Sequence, residues 1–221
     1  YFPTGVLRER GFTRQTCSSC GTRFWSTTPR ELCGDPDCVG GFSFIGDSPV
    51  TQRYDYPGLL QAFASFFEER GYTPISRYPV VARWRDDTDF VGASIYDFQP
   101  HVVSGAVRPP ANPLTVPQPS LRFNDIDNVG ITGSHYSCFV MIGQCAFTPP
   151  DEFEQDEYFT DLLEWFTIGL GIPERELQVH EDAWAGGGNF GPCMEFFSRG
   201  LELANQVYML YEQTRDGPRE L

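Results

Sequence analysis

Four cysteines that lie close together in the chain constrain its fold more than any other feature. They follow the spacing Cys17-x2-Cys20-x12-Cys33-x4-Cys38, which gives two close pairs separated by one loop. Tetrahedral Zn²⁺ favours this arrangement, because each pair supplies two thiolates from a tight turn and the two pairs together close the site. Disulfides and free thiols are the alternatives. A cytosolic compartment disfavours disulfides, and a short polar module benefits from a metal in place of a core, so we predict structural zinc.

The three remaining cysteines, Cys138, Cys145 and Cys193, are far from this cluster in the sequence. Isolated cysteines commonly behave as small buried apolar residues. We expect that behaviour of all three.

Length and charge bound the class of protein. A chain of 221 residues can bury a full core, and its net charge of −14 opposes binding to a phosphate backbone. That objection to nucleic-acid binding weakens if the acidic surface reflects adaptation to salt, or if other domains make the nucleic-acid contacts. All 16 basic residues are arginine, so Schiff-base lysines and phosphate loops with Gly-Lys are excluded. No apolar run of membrane-spanning length occurs, and we expect a soluble, cytoplasmic protein without a membrane partner.

Hydrophobic periodicity predicts an α+β fold. Apolar residues at helical spacing predict helices over 56–70 and 151–170, and Gly71 is a stop signal for the first. Between these helices the chain has short β-rich runs broken by Gly, Pro and Asn, which favour an antiparallel sheet. The predicted strands are Tyr78–Trp84, Leu121–Phe123 and Tyr136–Phe147, and Cys193–Tyr211 is interpreted as a strand followed by a helix. We predict a zinc-binding module over 1–50 and a larger core domain over 51–221, the part to which the resemblance described next assigns catalysis.

Two runs carry the functional signal. They are Gln118-Pro-Ser-Leu-Arg-Phe-Asn-Asp-Ile-Asp-Asn-Val-Gly130 and Trp184-Ala-Gly-Gly-Gly-Asn-Phe-Gly-Pro192. They resemble the motif 2 segment and the glycine-rich alanine-site segment of archaeal-type alanyl-tRNA synthetases, and the resemblance extends over nearly the whole chain. It implies a class II synthetase core, an antiparallel sheet flanked by helices. It also implies formation of alanyl-adenylate from alanine and Mg²⁺-ATP, followed by transfer to tRNA.

The resemblance assigns the nucleotide contacts to the run after residue 120. Arg122 matches the motif 2 arginine, whose planar donors bridge the substrate carboxylate and the α-phosphate. His135 and Phe139 match the basic residue and the adenine-stacking aromatic of the motif 2 loop, and Asp125 lies in that loop. Without the resemblance, Arg122 would be an ordinary surface arginine and Phe139 an ordinary core residue.

The amino-acid pocket is expected from the second run and its surroundings. Trp184 and Val207 resemble the residues that wall a pocket for one methyl group, which excludes larger side chains by size. Met141, Gly187 and Gly188 complete the predicted pocket, since glycines let the backbone approach a ligand. Discrimination against glycine and serine is assigned in this family to an editing domain, which we do not expect within residues 1–221.

The chain departs from the family pattern slightly at Thr115–Pro117 and Phe147–Pro150, and more clearly at three other places. Ser134 and Val140 stand where the family has arginine and glutamate, and motif 3 is expected after Leu221. The ending is most simply interpreted as a cut or incomplete chain. Two alternatives stay open: a paralog that activates a small amino acid for an acceptor other than tRNA, and a non-catalytic, zinc-stabilised binding module. The sequence makes no prediction of oligomeric state.

Overall fold

The structure is a computed structural model that describes residues 2–132 and 135–221, and these residues form two compact units. Unit 1 combines the residues before Tyr54 with Glu154–Glu220, and unit 2 is Tyr54–Phe153. The helices are α1 (Thr4–Glu9), α2 (Pro36–Val39), α3 (Tyr56–Glu68) and α4 (Gln155–Glu164). The strands are β1 (Thr13–Thr16), β2 (Arg23–Ser26), β3 (Thr73–Pro74), β4 (Leu114–Leu121), β5 (Cys138–Cys145), β6 (Gln178–Gly186), β7 (Asn189–Ser198), β8 (Leu201–Val207), β9 (Tyr211–Thr214) and β10 (Gly217–Glu220).

Unit 1 is built on a seven-stranded antiparallel sheet. Its strand order is β1-β2-β6-β7-β9-β10, and β8 also pairs with β7. Helix α4 and the π-helical turn Trp165–Gly169 that follows it supply aromatic residues to the core. Phe159 stacks on Phe196 with ring centroids 5.4 Å apart, and Phe166 lies 5.1 Å from the same ring. Strand β7, which lies between β6 and β8, therefore rests on a buried aromatic layer.

Unit 2 contains helix α3 and a three-stranded sheet of order β3-β4-β5. Strand β3 is parallel to β4, whereas β4 and β5 are antiparallel over eight residue pairs. A cluster of buried side chains forms around Phe98, Leu114 and Val116. The sheet carries Arg122 at the point where β4 ends.

The predicted helix over 56–70 is confirmed as α3. The Asp55 side chain caps it by accepting a hydrogen bond of 2.8 Å from the Gly58 backbone N–H. Phe63 and Phe67 are its buried positions, one turn apart. Gly71 follows the helix with a φ of +89°, a left-handed conformation that ends helices. The second predicted helix begins later than expected, as α4 at Gln155.

Several predicted strands are wrong in extent. Residues 78–84 form no strand apart from a single bridge between Val81 and Phe90. Strand β4 instead begins at Leu114, where Pro117 and Pro119 obscured the pattern. Both prolines follow the end of the β3 pairing at Thr115, so no ladder hydrogen bond is lost on that edge.

The helix predicted toward Tyr211 is also wrong, because that segment forms β7, β8 and the start of β9. The antiparallel α+β architecture itself is confirmed. The separate module predicted for 1–50 stays a prediction; in the structure, β2 pairs with β6, so these residues share a sheet with the end of the chain. Among the helices of the described residues, none has the length and apolar character needed to cross a membrane.

Candidate functional site

The four cysteines of the predicted metal site meet in one small region of unit 1. Their Sγ atoms all lie within 4.8 Å of one another, and those of Cys20 and Cys33 are 3.9 Å apart. A tetrahedral zinc ion with Zn–S bonds of about 2.3 Å requires sulfur atoms roughly 3.8 Å apart. The four thiols are free of disulfides. The donor set and its spacing therefore fit Zn²⁺.

The first cysteine pair sits on a tight turn. The Gly21 N–H donates to the Cys17 carbonyl over 3.0 Å, and the Thr22 N–H points to the Cys20 sulfur at 3.5 Å. Burial acts to raise the pKa of Cys17, but hydrogen bonds from the backbone, led by Cys20, outweigh it and bring the pKa to about 6. The thiolate that a metal requires is thus favoured at Cys17.

The second pair is held by two contacts that the sequence did not predict. The Asp35 side chain accepts a hydrogen bond of 2.8 Å from the Asp37 N–H and caps α2, which carries Cys38. His180 Nε2 lies 2.7 Å from the Cys33 carbonyl oxygen. Burial lowers the pKa of His180, so its imidazole is neutral and donates through Nε2. A buried histidine at the start of a strand gave no signal of this contact in the sequence.

Arg122 directly follows β4 and is exposed. Its Nε donates to the Gly92 carbonyl over 2.8 Å, and its guanidinium carbon lies 5.1 Å from the centre of the Phe139 ring. Within residues 2–132 and 135–221, the two terminal nitrogens of Arg122 have no hydrogen-bond partner. The side chain is therefore held at its stem while its charged end is left available. The sequence predicted Arg122 and Phe139 but not the role of Gly92.

The loop between β4 and β5 carries the other predicted nucleotide contacts. Asp125 is exposed and accepts a hydrogen bond of 2.7 Å from the Asn124 amide. His135 Nδ1 is 2.6 Å from the Thr132 hydroxyl oxygen. Ser134, where the family pattern has arginine, lies outside the described residues.

Strand alternation separates two neighbouring positions on β5. Met141 pairs with Gln118 and Phe139 with Ser120, so both side chains lie on the same face as Arg122. Val140 pairs with Pro119 and lies on the opposite face. A contact of residue 140 with a ligand on the Arg122 face is therefore not expected.

The predicted glycine segment is the turn of a β-hairpin. Gly186 pairs with Asn189, which leaves Gly187 and Gly188 as a two-residue connection between β6 and β7. Their φ angles are +59° and +84°, the pair of positive values that a type I′ turn requires. The backbone conformation accounts for both glycines, so close approach to a ligand, the reason expected from the sequence, is not needed to explain them.

Trp184 and Val207 lie on one face of the unit 1 sheet. Cys193 pairs with Asp182 on one side and with Val207 on the other, and Trp184 is two residues beyond Asp182 on the same strand. Both predicted pocket residues are half-buried. A Cβ atom at Gly186 would meet the Trp184 ring at 2.5 Å, so the ring occupies the space that a side chain at residue 186 would need.

The same face carries acidic groups that sequence reasoning missed. Ligand atoms of Asp182, Cys193 and Glu195 lie within 4.8 Å of one another. Burial, followed by the charges of Glu202 and Asp182, raises the pKa of Glu195 to about 7. The strand alternation from Trp184 would have revealed this face if the hairpin had been recognised.

The isolated cysteines differ from one another in exposure. Cys193 is buried as expected, and burial raises its pKa to about 12. Cys145 is partly buried, whereas Cys138 is exposed, so the expectation is wrong for Cys138.

The predicted site residues divide between the units. Arg122, Asp125, His135, Phe139 and Met141 belong to unit 2, and Trp184, Gly187, Gly188, Val207 and the four cysteines belong to unit 1. The structure brings Arg122 and Phe139 together. It also brings the four cysteines together, and it places Trp184 and Val207 on one face of the sheet, on the strands either side of β7 and two residues apart in register.

Known proteins match this chain over a range that includes the predicted site residues of both units. A family model described as tRNA synthetases class II (A) matches residues 59–217. The alanine–tRNA ligase of Methanocella arvoryzae is 50% identical over 219 residues, which cover 98% of this chain. Those of Methanosphaera stadtmanae and Pyrobaculum aerophilum are 46% and 50% identical and cover 99% and 94% of it. The chain spans about a quarter of the length of these relatives, 25% of the first and 24% of the other two.

Proposed function

The chain belongs to the class II (A) tRNA synthetases, and from this premise we propose that it is the part of an alanine–tRNA ligase that activates alanine. In the proposed reaction a carboxylate oxygen of alanine attacks the α-phosphorus of ATP, which forms alanyl-adenylate and releases pyrophosphate. The alanyl group then passes to the 3′ end of a tRNA.

The observation that carries the proposal is the exposed guanidinium of Arg122, held at its stem by the Gly92 carbonyl and lying beside the Phe139 ring. Two anions, the alanine carboxylate and the α-phosphate, repel each other as they approach. The free terminal nitrogens of Arg122 form a planar set of donors that suits both anions and stabilises the negative charge of the transition state. In this proposal Phe139 stacks on adenine, while His135 and Asp125 contribute to ATP binding.

Alanine selection is proposed for the face that carries Trp184 and Val207. A side chain larger than methyl is excluded by these two apolar walls, and exclusion by size is the only discrimination that such a pocket provides. Met141 is proposed as a further apolar contact of the amino acid. Gly187 and Gly188 contribute by forming the turn that ends the strand of Trp184.

Two metals belong to the proposal. Cys17, Cys20, Cys33 and Cys38 hold one structural Zn²⁺, which ties together the two turns that carry the cysteine pairs. Mg²⁺ accompanies ATP and neutralises phosphate charge. Location in the cytoplasm stays a prediction.

The test is amino-acid-dependent exchange of pyrophosphate into ATP by the full-length protein, with alanine, glycine and serine compared at equal concentration. Exchange should be fastest with alanine, and Arg122→Ala should lower kcat/KM by at least about a hundredfold, the usual effect of removing a group that stabilises developing charge. Faster exchange with another amino acid would contradict the assignment of alanine. No exchange with any of the three would contradict the proposed activity itself.

A further inference from the structure

His180 is buried in β6 and contacts the segment 17–38 that carries the four cysteines, which we call the metal loop. His180 is not itself one of the four predicted metal ligands. Its side chain is 5% exposed, and its Nε2 lies 2.7 Å from the backbone oxygen of Cys33. A carbonyl oxygen only accepts, so Nε2 carries the proton and donates it. The hydrogen bond joins strand β6 to the peptide from which one of the four sulfur ligands projects.

Aromatic packing fixes the direction of this donor. The His180 ring stacks on Phe197 with centroids 4.3 Å apart and an interplanar angle of 27°. Phe24 is the partner of His180 in the β2–β6 pairing, and the centres of the two rings are 6.3 Å apart with the ring planes tilted. Phe24 also packs against Cys17 and Cys33. The imidazole therefore has little freedom to turn away from the Cys33 carbonyl.

The residue after Cys33 is pressed against the same strand. Gly34 has a φ of +90°, and a Cβ atom there would lie 2.5 Å from Oε1 of Gln178. Gln178 and His180 are alternate residues of β6 and face the same side. Two successive residues of the metal loop are thus docked on two successive same-face positions of one strand.

We propose that His180 is a positioning residue of the metal site: it fixes the Cys33 peptide so that the Cys33 sulfur meets the other three in tetrahedral geometry. The inference rests on the metal part of the proposed function. His180 does not touch the metal and acts through Cys33. Outer groups that orient ligands commonly change metal affinity by tenfold or more when removed.

The experiment measures how fast the zinc-loaded, full-length protein loses its metal to a chromogenic chelator. His180→Phe keeps a ring between Phe197 and Phe24 but removes the donor, and H180M is a second donor-free variant of similar size. His180→Gln restores an N–H donor at similar reach. His101→Phe, at an exposed histidine of unit 2, is the matched control.

Wild type should hold about one zinc per chain. H180F and H180M should lose it about five- to tenfold faster, as expected for one buried hydrogen bond. H180Q and H101F should match the wild type. In Co²⁺-substituted protein, the visible absorption of the tetrahedral thiolate site should change shape in H180F and H180M and be retained in H180Q.

Each contrary outcome has a distinct meaning. If wild type holds zinc and the donor-free variants release it at the wild-type rate, the inference is wrong while the metal site stands. If H180Q releases zinc as fast as H180M, the hydrogen bond is not the cause. If wild type binds no metal, both the zinc site and the role of His180 are refuted.

Discussion

At the scale of single residues, Asp97 is an acidic group buried away from the surface. It ends the 3₁₀ turn Ser94–Asp97 and is 6% exposed, and both carboxylate oxygens lack a hydrogen-bond partner among the described residues. Burial raises its pKa to about 7. Burial, followed by the negative charge of Asp97, raises the pKa of Tyr78 and the pKa of Cys145. Neither of these groups is a cation that could stabilise the ionised carboxylate. A buried carboxyl without a partner costs stability when it ionises.

Asp97 should make the free energy of unfolding fall as pH rises. In the unfolded chain an aspartate titrates near 3.9, whereas the folded protein keeps the Asp97 proton until about pH 7. Between these values the folded state binds more protons, so stability decreases by up to about 1.4 kcal/mol per pH unit, and the loss persists above pH 7. Asp97→Asn removes this contribution, so its advantage over wild type should grow from pH 5 to pH 8.

Urea unfolding at pH 5, 6, 7 and 8 measures this difference, with the exposed Asp151→Asn as control. Parallel pH profiles for wild type and Asp97→Asn would show that Asp97 ionises normally in the folded protein.

At the scale of elements, the β6–β7 hairpin decides where Trp184 lies. Its turn needs positive φ at both Gly187 and Gly188, which asparagine tolerates and a β-branched residue does not. Gly187→Val should therefore destabilise the protein by roughly 1–2 kcal/mol and weaken alanine binding with it. Gly187→Asn should leave the stability of the protein and its affinity for alanine close to those of the wild type. Thermal unfolding and alanine titration of the two variants measure this, and a Gly187→Val protein of wild-type stability would contradict the type I′ assignment.

Sequence patterns predicted the long helices but not all strands. Helix α3 is predictable because apolar periodicity and a terminal glycine agree over residues 56–71, and the Asp55 cap seen in the structure adds to these signals. Strand β4 contains Pro117 and Pro119. Because proline is disfavoured in strands, local sequence alone argued against a strand here. The helix expected toward Tyr211 is wrong because β7 pairs with β6 on one side and with β8 on the other, and these long-range pairings fix both segments as strands.

The site residues that could be predicted are those that lie in short sequence motifs with a known pattern. Arg122, Phe139, Trp184 and the cysteines come from such motifs. His180 acts through a contact between residues 147 positions apart, and Asp97 through burial, so neither is visible in local sequence.

At the scale of the whole molecule, two separate sheets carry the two proposed halves of the chemistry. The three-stranded sheet of unit 2 carries Arg122 and Phe139, and the seven-stranded sheet of unit 1 carries Trp184 and Val207. The net charge of −14 gives the chain no general attraction for polyanions, so affinity for ATP must come from local donors such as Arg122. Loss of a nucleotide contact and loss of an amino-acid contact should therefore be separable by mutation.

The central claim is that this chain binds both parts of alanyl-adenylate, and the most direct measurement is calorimetric titration of the full-length protein with a non-hydrolysable sulfamoyl analogue of that intermediate. Wild type should bind the analogue far more tightly than ATP or alanine alone. Arg122→Ala should weaken binding of both the analogue and ATP, whereas Trp184→Ala should weaken binding of the analogue and leave ATP unchanged. An analogue that does not bind, or that binds equally to wild type and both folded variants, would contradict the account.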